Sequence, residues 1–217
     1  MKIDLPGVDV RYIAGAFDAS TADALHVALR AEIAWEQHCL RLFGRRVEAP
    51  RLSAWIADPG ASYRYSGTRF EPRAWTHTAG SLRDRLNARL GAGFNSVLAN
   101  LYRDGRDSMG WHADDEPELG AQPLIASLSF GAARKFRLRS RRDKRVVQMI
   151  ELEHGSLLLM GGETQRLYQH DLPKVHGHVE ERINLTFRHI QSSTERRCAR
   201  SCGAHAKTNS GIRAVRS

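Results

Sequence analysis

Helical patterning first and short strands afterwards predict an α+β chain, built as a double-sheet jelly roll with N-terminal helices covering one face. Two helical stripes precede residue 91, and six strand-like runs separated by Gly, Pro, Asp and Asn follow from residue 94. Hydrophobic residues make up 41% of the 217, enough for one packed domain and too many for wholesale disorder.

The first helix is expected from Ser20, acting as N-cap, with Leu25, Ala28, Leu29 and Ile33 at helical spacing. The second is expected over 81–90, with Leu82, Leu86 and Leu90 on one stripe and Gly91 as its stop. Between them, 42–75 reads as an irregular Pro/Gly/aromatic-rich stretch holding short strand-like pieces. Strands are expected at 94–102, 124–130, 134–139, 146–152, 156–160 and 182–188. The folded domain then spans 1–190, with the jelly-roll core at about 94–190. Residues 191–217 lack a hydrophobic period and read as a disordered tail.

Several classes are excluded. No apolar run reaches the roughly eighteen residues of a membrane helix. The opening MKIDLPGVDV has neither the basic nor the apolar region of a secretory signal. Three cysteines make no disulfide framework, so a cytoplasmic, reducing setting is expected. Charge points to a partner: the formal net charge is +9, and Arg196, Arg197, Arg200, Lys207, Arg213 and Arg216 in the tail face only Glu195. A second basic cluster, RKFRLRSRRDKR, occupies 134–145. Attraction to a polyanion competes there with a plain solvated face.

The chemistry starts at His112-Ala113-Asp114, where alternate residues after a strand and a Gly-containing loop can project the same way. A non-haem Fe(II) site needs two imidazoles and one carboxylate on one side of the metal, leaving the other side open. The third ligand has four candidates, His154, His170, His176 and His178, each of which is otherwise a surface or hydrogen-bonded histidine. In 182–188 the alternation puts Arg182, Asn184, Thr186 and Arg188 on one face and Ile183, Leu185 and Phe187 on the other. That is either a half-buried strand with its polar face in water or an anion site. The two arginines stand ~20 Å apart along the strand, so long side chains leaning inward can grip opposite ends of a small dicarboxylate. Asn100 and Tyr102 share a face of 94–102 in the same way.

Together these segments resemble the AlkB family of Fe(II)/2-oxoglutarate dioxygenases. The resemblance rests on Asn100-Leu-Tyr102-Arg103-Asp-Gly105, His112-x-Asp114-Asp115-Glu116, Ser127-Leu-Ser129-Phe-Gly131, Glu153-His154-Gly155-Ser156-Leu157, His170 and Arg182-x-Asn184-Leu185-Thr186-Phe187-Arg188, in an order spanning about 42–190. It implies a double-stranded β-helix carrying a nucleotide-recognition lid at about 40–75. It also implies His112, Asp114 and His170 as iron ligands, with 2-oxoglutarate as cosubstrate and dioxygen as oxidant. Arg182 and Tyr102 would hold the distal carboxylate; Arg188, Asn100 and Asn184 would lie toward the iron-chelating end. His154 would be structural.

Upstream, the chain looks closer to the DNA-repair members around the human second homologue than to the founding bacterial enzyme. Leu42-Phe43-Gly44-Arg45 and Arg51 match the segment where those members wedge an apolar side chain into the base stack. Tyr63 and Tyr65 match a lid that stacks on the flipped base, and Asp115 and Glu116 would line the base pocket. The loop before the Arg-x-Asn strand reads Lys174-Val-His176-Gly-His178, where duplex-gripping relatives carry a denser basic cluster.

The resemblance implies oxidative demethylation of 1-methyladenine and 3-methylcytosine in alkylated DNA, single- or double-stranded, releasing formaldehyde, succinate and CO2. A monomer with no membrane partner is expected. The alternatives are the same chemistry on RNA, a zinc-holding nucleic-acid-binding module without catalysis, and a protein-modifying dioxygenase.

Overall fold

The computed structural model describes residues 1–42, 45–61, 63–65, 68–70 and 72–192; along 40–42, 45, 46, 63–65 and 68–70 only the backbone is considered. Phe43 and Gly44, and the expected tail beyond residue 192, lie outside the described residues. The chain begins β1 (Lys2–Ile3), β2 (Val8–Ile13), α1 (Ala19–Glu32), β3 (Glu36–Leu42), β4 (Arg45–Ala57), β5 (Tyr63–Tyr65) and β6 (Thr68–Phe70). Then come α2 (His77–Leu90), β7 (Ser96–Tyr102), β8 (Met109–His112), β9 (Ile125–Gly131) and β10 (Arg134–Ser140). It closes with β11 (Val146–Leu152), β12 (Ser156–Gly162), the single-turn α3 (Thr164–Leu167), β13 (Tyr168–Leu172) and β14 (Arg182–Arg188). Strand outweighs helix.

An eight-stranded sheet has the order β1-β2-β12-β9-β14-β7-β4-β3, and a four-stranded sheet the order β11-β10-β13-β8. Period-2 alternation decides what each face of the large sheet meets. Val97, Ala99 and Leu101 of β7, Ala126, Leu128 and Phe130 of β9, and Ile183, Leu185 and Phe187 of β14 pack with Leu29 of α1 and Leu82 and Leu86 of α2. On the opposite face Val10, Tyr12, Ile125, Leu158 and Met160 pack against Phe136, Leu138, Ile150 and Leu152 of the small sheet. The polar members of β7, β9 and β14 therefore point between the two sheets.

Some local expectations change. Asp18, not Ser20, caps α1: its carboxylate accepts from Thr21 N at 2.9 Å and from Ser20 Oγ at 2.7 Å. A carboxylate two residues earlier offers more acceptor sites than a hydroxyl, so the helix starts there. Those bonds, led by the one from Thr21 N, hold the Asp18 carboxyl down at about 2. Helix α2 starts at His77 behind the Thr76 cap, four residues before the expected 81, and ends at Gly91 in the left-handed conformation (φ 59°). The stretch 42–75, read as irregular, holds the thirteen-residue β4, paired to β3 and β7. β8 and β13, which carry His112 and His170, gave no strand pattern in the sequence because each is short.

Candidate iron and 2-oxoglutarate site

Register assembles the site. In β14 against β7, Arg182 lies opposite Tyr102 and Asn184 opposite Asn100; against β9, Asn184 lies opposite Ser129 and Thr186 opposite Ser127. All seven residues of β14 are buried, so its polar face looks into the barrel and not into water. On the facing sheet His170 of β13 pairs with His112 of β8. The cavity between the sheets is lined by Asn100, Tyr102, His112, Asp114, His170, Arg182, Asn184 and Arg188, closed by apolar Leu98, Phe136, Leu152 and Met160.

His112, Asp114 and His170 place one ligand atom each within 4.8 Å of the others, the one such group among the described residues. Asp114 Oδ1 stands 4.0 Å from His112 Nε2, and its Oδ2 stands 4.0 Å from His170 Nε2. His112 Nδ1 lies 2.8 Å from Gly110 O, so Nδ1 carries the proton and Nε2 keeps its lone pair for a metal. Burial pushes the His170 imidazole down to about 3 and depresses His112, so both stay neutral. Burial alone would raise the Asp114 carboxyl, but the charge and hydrogen bond of Arg188 chiefly hold it at about 2. Arg188 Nη2 donates to Asp114 Oδ1 at 2.7 Å, and Gln165 Oε1 accepts from Asp114 N at 3.0 Å. Asp114 Oδ2 is buried without a hydrogen-bond partner.

Arg182 is 1% exposed. Its Nη2 donates to Ser129 Oγ at 2.9 Å, while Nε and Nη1 have no acceptor. Its guanidinium lies 5.3 Å from the Tyr102 ring centre, and burial lowers its pKa to about 10. A buried cation with two unused donors beside a phenol is chemically suited to gripping a carboxylate. The donor set of two imidazoles and one carboxylate fits Fe(II), and the orphaned Asp114 oxygen and Arg182 donors fit a metal and a dicarboxylate.

Other expected site residues fall differently. Asn184 Nδ2 donates to Ser127 Oγ (2.8 Å) and Leu128 O (2.9 Å), and its Oδ1 accepts from Thr186 (3.0 Å), so its amide joins β14 to β9. Arg51, expected against substrate, is 4% exposed and donates through Nε to Asn100 Oδ1 at 2.8 Å. That bond orients the Asn100 amide; alternation along β4 turns Arg51 inward. Asp115 is exposed and paired with Arg141 at 2.6 Å, and half-buried Glu116 follows it; neither lines the cavity. Phe43 and Gly44, and the side chains of Arg45, Tyr63 and Tyr65, lie outside the described residues.

Of the other histidines, His154 Nδ1 accepts from Gly131 N at 2.8 Å, and His176 and His178 are exposed on the loop before β14. Sequence reading missed Gln165, and it missed Arg134, a buried guanidinium 5.8 Å from the Tyr102 ring that donates to the carbonyls of Asp104, Asp107 and Pro173. Gln165 carries no sequence signal; Arg134 hid inside a run that looked like a solvated basic face.

Residues 9–188 match the 2OG-Fe(II) oxygenase superfamily. The chain is 40% identical over 185 residues to the alpha-ketoglutarate-dependent dioxygenase alkB homolog 3 of Homo sapiens, covering 81% of this chain and 64% of that protein. It is 37% identical over 191 residues to the DNA oxidative demethylase ALKBH2 of Bos taurus, covering 83% and 68%. The structure of OsALKBH1 shares the fold at TM-score 0.56 and 18% identity, over 86% of this chain and 100% of that one. The chain thus belongs to the 2OG-Fe(II) oxygenase superfamily and, within it, to the AlkB family, whose chemistry uses Fe(II), 2-oxoglutarate and dioxygen. It spans about 64% of the length of the alkB homolog 3 protein it matches.

Proposed function

We propose that this chain oxidatively demethylates N-alkylated bases in DNA, with 1-methyladenine and 3-methylcytosine as substrates. The observation that carries the reading is that one cavity holds both the His112–Asp114–His170 group and the orphaned Arg182 donors. Bound Fe(II) with 2-oxoglutarate and dioxygen supplies the oxidant for the N-methyl carbon. The chain's own residues place and shield. His112, Asp114 and His170 hold the metal, and Arg188 keeps the Asp114 carboxylate charged and aimed. Arg182, with the Tyr102 phenol, takes the distal carboxylate bidentately, while Asn100, turned by Arg51, serves the other end. Leu98, Phe136, Leu152 and Met160 keep water from the reacting centre.

Substrate selection falls to the rim. A cationic methylated base attracts Asp115 and Glu116, and in the free chain Arg141 occupies Asp115. The β3–β4 pairing brings Leu42 opposite Arg45, and Phe43, between them in the sequence, serves as the apolar wedge for the base stack. Tyr63 and Tyr65 then serve as the lid over the flipped base, and the excess of basic residues attracts the phosphate backbone.

The test is mass spectrometry of an oligonucleotide bearing 1-methyladenine, single-stranded and annealed, incubated with protein, Fe(II), 2-oxoglutarate and air. Loss of the methyl group, absent in His112→Ala, is the expected result. Phe43→Ala is expected to cripple action on the duplex and spare short single strands; equal losses on both would remove the wedge. Succinate without demethylation of either form would overturn DNA as substrate and move the search to RNA.

A further inference from the structure

His112 sits on a weakly held strand. β8 is four residues long, lies at the open edge of the small sheet, and pairs with β13 only at His170–His112 and Leu172–Met109, with a register shift between. Such an edge frays easily, yet a metal ligand must stay within a few tenths of an ångström of its place. The outer face of the same sheet supplies what the ladder lacks. Directly opposite one another on β10 and β13 stand Arg137 and Asp171, and Arg139 and Gln169, the residues flanking His170 on each side. Arg137 Nε donates to Asp171 Oδ1 at 2.9 Å, and its Nη2 donates to Asp171 Oδ2. Arg139 donates to Gln169 Oε1 through Nε at 3.1 Å and Nη2 at 2.9 Å.

Trp111, immediately before His112, points outward because His112 points in. Its ring reaches across β13 to lie beneath both guanidiniums, 4.3 Å from that of Arg139 and 5.0 Å from that of Arg137. We infer that Trp111, Arg137 and Arg139 form an outer brace that pins β8 to β13 and β10 at the level of the metal, making them positioning residues for His112 and His170. The guanidiniums are fixed by Asp171 and Gln169, and they fix the indole by cation–π contact. The basic run 134–145, which reads as a polyanion-binding face, is thus partly committed to the molecule's own architecture: Arg134 is buried, and Arg137 and Arg139 are braced.

This inference rests on the reading of His112, Asp114 and His170 as metal ligands, and the experiment separates the two. Mn(II) binding to the metal-free full chain is measured by calorimetry, beside its melting temperature and the visible spectrum of the Co(II)-loaded form. Trp111→Leu and the double variant Arg137→Met/Arg139→Met are expected to weaken Mn(II) by about tenfold or more and to alter the Co(II) bands. Trp111→Phe, which keeps an aromatic face, is expected to stay near wild type. The double variant keeps the aliphatic stems and carries the test if Trp111→Leu does not fold. His112→Ala is the control: wild-type-like Mn(II) binding there would remove the metal site itself. Lost binding in His112→Ala with affinity within twofold of wild type in the brace variants would overturn the brace alone. A loss confined to oligonucleotide binding would also overturn it and make this face a docking surface.

Discussion

Arg182→Met separates what the guanidinium costs the fold from what it does for the ligand. In the free chain two of its donors are buried without acceptors, and each orphaned donor costs about 1–3 kcal/mol. The substitution removes both orphans and the buried charge while keeping an unbranched stem. It also loses the Ser129 bond and the Tyr102 contact, which together return about 1–3 kcal/mol. Taking midpoints, about 4 kcal/mol regained against about 2 kcal/mol lost, the metal-free variant is expected to be about 2 kcal/mol more stable than the wild type. Binding moves the other way. Losing one partner of a buried charge pair costs about 2–5 kcal/mol. At about 1.4 kcal/mol per decade, 2-oxoglutarate affinity should fall by roughly thirtyfold to a few thousandfold. Thermal melts of the metal-free protein and calorimetric titration of 2-oxoglutarate into the Mn(II)-loaded protein read the two quantities separately. A variant that loses stability yet binds 2-oxoglutarate within threefold of wild type would refute the reasoning, because Arg182 would then be structural.

Two further outcomes follow from the same packing. Gly131 has φ +87°, and a Cβ there would sit 2.3 Å from Glu181 O and 3.2 Å from the Arg182 Cα. Gly131→Ala is expected to cost about 2–4 kcal/mol, seen in thermal melts, and to weaken 2-oxoglutarate binding by shifting Arg182; a loss under about 1 kcal/mol would mean the backbone there yields freely. The His170 imidazole titrates near 3 when folded, against 6.5 for its unperturbed value, so between those values the unfolded chain holds the extra proton. Stability of the metal-free protein is expected to be present above pH 6.5 and to fall as pH drops toward 3, with His170→Asn flattening that slope. Parallel slopes in the two proteins would remove His170 from the acid transition.

Much of the site was legible along the chain because alternation is a local property. Arg182, Asn184, Thr186 and Arg188 must share a face of any strand, as must Asn100 and Tyr102, whatever lies around them. Gly91 announced the end of α2 because only a left-handed residue closes that turn without strain. The third ligand was not legible in this way. Four histidines competed, and the resemblance alone selected His170; its place opposite His112 is a matter of sheet register, which pairs residues 58 positions apart.

By itself the sequence determined which residues travel together on a strand face, where α2 stops, and that His112 and Asp114 can present two metal ligands together. Only the tertiary structure decided which environment each face enters. It turned the polar side of β14 into a buried cavity, left two Arg182 donors without acceptors, and aimed Arg51 at Asn100 rather than outward. It also divided one basic run among burial, brace and rim. Burial, register and the partner across a sheet depend on segments far apart in the chain, and the energy of a charged side chain depends on exactly those neighbours and not on its own sequence context.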